Sequence, residues 1–121
     1  MSNEIKRGEW MAYFNEFSKR NYSRSTRIEV LSGLGAQEAE RHLPLNGISV
    51  DESGTSAPRI EILLGGVSPD DAQHMTHVVT RAATVFPKTN VDGKDEVLEI
   101  VDADGGKTLL CFEPRSMDNG C

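Results

Sequence analysis

The chain reads as an α+β fold: one N-terminal amphipathic helix packed on a strongly bent antiparallel sheet, or on a small open β-barrel, of five to six strands. Three observations predict it. Trp10, Tyr13, Phe14 and Phe17 fall at i, i+3, i+4 and i+7, which puts four rings on one helical face. After Tyr22 the apolar residues recur in short runs of period two, the spacing of half-buried strands. Turn residues, among them Gly33, Gly35, Gly65-Gly66 and Asp104-Gly105-Gly106, separate those runs. A flat sheet with the helix on one face is the alternative arrangement. The 121 residues, 37% hydrophobic and 26% charged, suit one soluble domain over 1–121 with one modest core.

The elements follow in order. Residues 1–8 are expected to be flexible, and residues 9–20 form the helix. Gly8 suits the N-cap, and Glu9 suits the positive end of the helix dipole. Lys19 and Arg20 stand in the last turn, and Asn21 suits a left-handed terminating position. The β-rich body spans 25–113. Thr26 to Leu31 alternates and ends in a turn at residues 32–35. Residues 36–43 could form a helical turn, but Ala39, Arg41 and Leu43 share a face in a strand and Pro44 follows, which predicts a strand ending there. Residues 47–51 alternate again, then 52–58 form a loop. Arg59 to Leu64 is the clearest strand, with Ile60, Ile62 and Leu64 on one side. Ser68-Pro69-Asp70-Asp71 suits a turn. Residues 74–80 and 83–87 read as strands with a break near Arg81, and 90–95 as a loop. A hairpin closes the domain, 96–101 running out and 108–113 returning around Gly105-Gly106. In the return strand both faces are apolar. The aromatic helix is expected to cover the side that carries Leu109 and Cys111. Residues 114–121 read as a loose tail.

Thirteen basic residues face nineteen acidic ones, a net charge of −6. Residues 1–28 carry a balance of +3, and residues 29–121 a balance of −9. The body should repel nucleic acid and anionic membrane at long range. The longest aliphatic run, Ile62-Leu63-Leu64, is far short of the ~20 residues of a membrane-spanning helix. No apolar stretch of a secretory signal follows Met1. Cys111 reads as a small core residue and Cys121 as a frayed end, so a reduced cytoplasmic setting is the default.

The stretches Glu9 to Ser18, Ile28-Glu29-Val30-Leu31, Leu34 to Ala39, Leu43-Pro44-Leu45-Asn46-Gly47-Ile48, His74-Met75-Thr76-His77 and Asp104 to Phe112 resemble, in that order, an uncharacterised bacterial family known only as a domain of unknown function. The resemblance spans roughly residues 5–113 and rests on the order of the stretches. It implies a small bacterial intracellular protein that usually stands alone. It brings no activity, cofactor or catalytic residue. The segment Lys19 to Arg24 departs from the family's pattern.

Three groups of residues invite a chemical reading. Asp70, His74 and His77 would suit a zinc site if the histidines shared a helical face. On a strand, three positions apart means opposite faces, and the flanking Met75-Thr76 and Val78-Val79 favour a strand. Ordinary surface histidines are the plainer account, and His42 could join only through the fold. Asp102, Asp104 and Glu113 imitate a calcium-loop count, but Lys107 stands where glycine is required, so a charged hairpin tip explains them better. Lys19, Arg20, Tyr22, Arg24 and Arg27 could hold phosphates, with Tyr22 stacking on a base. The plainer account is a solvated connector whose cations suit a helix C-terminus.

No Gly-x-Ser-x-Gly turn and no glycine-rich phosphate loop followed by a helix is present. No catalytic residue, metal ligand or cofactor is therefore assigned. The sequence points first to a non-catalytic binding or assembly module of the bacterial cytoplasm, for which a homodimer through an uncovered sheet edge or the aromatic helix, or a protein partner, is one possible form. A weak nucleic-acid binder using 19–27 and a metal-dependent enzyme using Asp70, His74 and His77 are the alternatives.

Overall fold

A computed structural model describes residues 3–33, 35–66 and 74–113, with backbone alone at 39–41. The single helix α1, Trp10–Arg20, follows a short 3₁₀ turn, Arg7–Glu9. Seven strands come next among the described residues: β1 Ser25–Ser32, β2 Gly35–Asp51, β3 Arg59–Gly65, β4 His74–Val79, β5 Ala82–Thr89, β6 Asp95–Asp102 and β7 Lys107–Phe112. They form one antiparallel sheet of order β4-β3-β2-β1-β7-β6-β5. The helix on an open, bent antiparallel sheet is the predicted arrangement. The strand number exceeds the predicted five to six.

The curvature has two visible causes. The outermost strands β4 and β5 are joined only by Thr80-Arg81, so the sheet curls until its two edges meet at that corner. There Arg81, at a left-handed φ of 51°, donates its N–H to Ser56 O at 2.8 Å, and Ala82 donates to Pro58 O at 2.9 Å. The second cause is the length of β2. Its first part pairs with β1 as far as Ser25↔Pro44, and from Leu45↔Leu64 it pairs with β3. Pro44 was expected to end a strand at residue 43. It stands instead where β2 passes from one partner to the other, and residues 36–43 and 47–51 belong to one continuous strand. A register shift follows between Leu45 and Gly47, and the Asn46 side chain bonds to Gly65 O at 3.1 Å.

The concave side holds the core. Trp10, Phe14 and Phe17 are essentially inaccessible and pack with Ile28, Leu45, Ile62, Leu98, Leu110 and others from every strand. Phe17 lies 5.7 Å from the Phe112 ring, so the helix covers the face of β7 that carries Leu110 and Phe112. The expected cover of the Leu109/Cys111 side by the helix is thereby corrected. The alternation is as predicted; the ring stripe sits inside the curl, where the apolar residues of the other strands also point. Cys111 is buried, and its sulfur is disulfide-bonded, so it offers no thiol, contrary to the reduced cysteine expected. No described helix is long and apolar enough to cross a membrane.

Helix and sheet are also tied by polar bonds. Ser18 Oγ accepts the Ile48 N–H at 2.9 Å, and Trp10 Nε1 donates to Ile5 O at 2.9 Å. Ile5 in turn donates its N–H to Val85 O of β5 at 2.9 Å. The N-cap is Glu9 rather than Gly8, which lies inside the 3₁₀ turn, and no side chain caps it.

The β6–β7 hairpin tip is held by Asp102, whose Oδ1 accepts the N–H groups of Asp104 and Gly106, each at 2.9 Å. A Cβ at position 106 would stand 2.8 Å from Asp102 Oδ2. Gly106→Ala should therefore displace Asp102 and cost about 1–2 kcal/mol through its lost bonds. A thermal melt reads this as a lower Tm; an unchanged Tm would show that Asp102 does not organise the tip.

Candidate functional site

A polar recess forms among the described residues where the end of α1 meets the β5–β6 hairpin. The helix ends without the left-handed Asn21 that the sequence suggested: Asn21 has φ −115°. Its N–H donates to Phe17 O at 3.1 Å, and its side-chain Nδ2 donates to the same oxygen at 3.0 Å. Ser23, two residues on, takes the left-handed conformation with φ 69° and turns the chain into β1. The terminating role shifts because Asn21 is buried and its amide is used in bonding.

The opposite wall is the loop between β5 and β6. Asn90 Oδ1 accepts the N–H groups of Asp92 and Lys94 at 2.9 and 3.1 Å, and Asn90 N–H donates to Lys94 O at 2.9 Å. Gly93 supplies φ 81°, which glycine adopts without strain. This fixes where Lys94 and Asp95 leave the loop.

The two walls meet at Asp95, which is 6% exposed. Arg20 grips it with two nitrogens, Nε to Oδ2 at 2.6 Å and Nη2 to Oδ1 at 3.2 Å. Asn21 Nδ2 adds a bond to Oδ2 at 2.8 Å. Arg24 Nη1 donates to Asn21 Oδ1 at 2.8 Å and to the Asp95 carbonyl at 3.0 Å. Its guanidinium carbon lies 4.1 Å from the centre of the Phe112 ring, a stacking position that fixes the plane. The result is an open cleft of about 360 Å³ lined by Arg20, Asn21, Arg24, Gly93, Lys94 and Asp95.

Burial would push the Asp95 carboxyl up, but the bonds from Arg20 and Asn21 and the charges of Arg20 and Arg24 outweigh it. The carboxyl is held below the ordinary carboxylate range. The Asp95 bond raises Arg20 above its usual value, against the opposing effect of burial. Burial, then the charge of Asp95, raises the Tyr13 phenol, with Arg20 acting the other way. Asp95 and Arg20 are thus a fixed, mutually neutralising pair. Among the described arginines with described side chains, Arg24 is the one with no ion-pair partner; Arg7, Arg20, Arg27, Arg59 and Arg81 each have a carboxylate.

The five residues nominated from sequence do not converge. Arg20 and Arg24 line the cleft. Lys19 is exposed and reaches Glu16 at 3.7 Å. Tyr22 is half exposed and is not part of the lining. Arg27 alternates to the convex side of β1, opposite Thr26 and Ile28, and pairs with Glu29 at 3.2 Å and Glu38 at 3.8 Å. Lys94 and Asp95 were not nominated. Their loop lies far along the chain, 75 positions from Arg20 at the Asp95 contact, and only the fold brings it to the helix end.

The other candidates separate. His74 and His77 stand three apart on β4, opposite Gly65 and Ile62, and so on opposite faces. Asp70 lies outside the described residues. His42 Nδ1 is 2.8 Å from Glu113 Oε1, which also accepts from Ser25 Oγ at 3.1 Å; both groups meet the carboxylate, not each other. Among the described residues no group of three His, Cys, Asp or Glu side chains is placed to hold a metal ion. Asp102 and Asp104 belong to the hairpin tip, Asp104 pairing with Arg81 at 2.5 Å.

Fold and recess together define a small α+β protein with a polar cleft at the helix end. The chain belongs to DUF5335, a family of unknown function, whose match covers residues 1–119. No curated protein and no solved structure matches the chain.

Proposed function

We propose that the protein is a small non-catalytic binding module, and that the cleft between the end of α1 and the β5–β6 loop receives an anionic ligand. The observation that carries this reading is Arg24: a guanidinium oriented by two hydrogen bonds and a ring, with no ion-pair partner among the described residues, at an open cleft beside Lys94. An oriented arginine is a good donor to phosphate or carboxylate. The lining supplies guanidinium, ammonium and amide donors, from Arg20, Arg24, Lys94 and Asn21, which suit holding an anion. A nucleic-acid role would also draw on Lys19 and Arg27, which are paired with acids away from the cleft. Self-association, if part of the role, falls to a sheet edge, because the aromatic face of α1 is enclosed in the core.

An amide-shift screen of the isotope-labelled protein tests this reading against simple anions, metal ions, nucleotides and short oligonucleotides at two salt concentrations. The expected result is saturable, salt-weakened shifts at residues 20–24 and 93–95 with at least one anion. Silence at these residues across all the anions would overturn it. Oligonucleotide shifts that extend to Lys19 and Arg27 would replace it with the nucleic-acid role.

A further inference from the structure

Resting on that reading of the cleft, we infer that the group it recognises is a phosphate dianion, carried on a small phosphate monoester. Charge sets the first constraint. Arg20 and Asp95 cancel one another at 2.6 Å, which leaves Arg24 and Lys94 as two cations for the ligand to meet. A phosphate monoester carries about −1.5 to −2 at pH 7, closer to that pair than a single carboxylate. Donor geometry sets the second. Arg24 Nη1 is committed to Asn21 and to the Asp95 carbonyl. Its remaining nitrogens have no hydrogen bond among the described residues and are left for ligand oxygens, with Lys94 acting as a second, movable point charge. Size sets the third. At about 360 Å³ the cleft holds on the order of ten water volumes, more than a lone phosphate group needs, so an organic body fits beside it.

The test titrates the full chain with inorganic phosphate, glycerol 3-phosphate and acetate at matched ionic strength, following the amides of residues 20–24 and 93–95. Wild type and Lys94→Gln are compared. Arg24→Gln is the obvious variant, but Arg24 also stacks on Phe112, so its loss could disturb folding; Lys94 is exposed and its side chain can be changed without that risk. Both phosphate compounds should shift these amides, the monoester more tightly than inorganic phosphate, while acetate at the same concentration does not. Lys94→Gln should weaken monoester binding about three- to tenfold, the effect of one partly screened charge. Inorganic phosphate binding as tightly as the monoester would remove the organic body from the proposal. Acetate binding as tightly as phosphate, or unchanged affinity in Lys94→Gln, would overturn the phosphate assignment. Silence from phosphate while another simple anion shifts the same amides would also overturn it and leave the anion-binding reading standing. Silence from every anion would end both.

Discussion

Phe17→Ala is expected to destabilise the fold by about 3–5 kcal/mol, the usual cost of emptying a fully buried aromatic site. Phe17 has no accessible surface, and its ring centroid lies 5.7 Å from those of both Tyr13 and Phe112. The Arg20 guanidinium sits 5.4 Å above it. The site cannot collapse easily, because Phe17 is held between the helix, β7 and the base of the polar cleft. Urea unfolding should show a lower midpoint with an unchanged m value. Met11→Ala on the same helix, at a position 61% exposed, should change stability by no more than about 0.5 kcal/mol. If both substitutions cost the same, the helix is not packed by its aromatic face.

Asp95→Asn should cost less, about 2–3 kcal/mol. Removing one member of a fully buried ion pair costs roughly 3–5 kcal/mol, but Arg20 is 46% exposed and water partly compensates its loss. The effect should depend on pH. Burial opposes ionisation of Asp95, yet its bonds from Arg20 and Asn21 hold the carboxyl below the ordinary range in the folded chain. The unfolded chain therefore takes up this proton first as pH falls. The stabilisation is complete above the unfolded carboxylate value, about 4, and disappears as pH drops through the lower folded value. The stability gap between wild type and Asp95→Asn should be full at neutral pH and narrow below about pH 4. A gap that stays constant down to acid pH would mean that the carboxylate charge contributes nothing.

The fold was largely legible because its main signals are local. The stripe Trp10, Tyr13, Phe14 and Phe17 states a helix face without reference to anything else, and Ile60, Ile62 and Leu64 state a strand. Pro44 misled because its missing N–H normally ends a ladder, whereas here it stands where β2 exchanges one neighbour for another. Asn21 misled because a residue suited to a left-handed terminus is equally suited to bury its amide against a carboxylate. The cleft was only half legible. Arg20 and Arg24 stood out as cations close together in sequence, and so did Lys19 and Arg27, but the end of a helix and the alternation of a strand sent the latter two elsewhere. Lys94 and Asp95 looked like ordinary loop charges. Their role comes from a contact between distant parts of the chain, which periodicity does not encode.

The pairing of β1 with β7, Thr26 opposite Phe112, has a consequence for synthesis. A nascent chain leaving the ribosome displays its aromatic helix and first strand long before the last strand is made. Until then Phe17 lacks the Phe112 ring, and one long border of β1 has no neighbour. Pairing β1 with β7 joins segments far apart in the chain, and such distant closure is expected to slow acquisition of the native state compared with a fold built from nearby contacts.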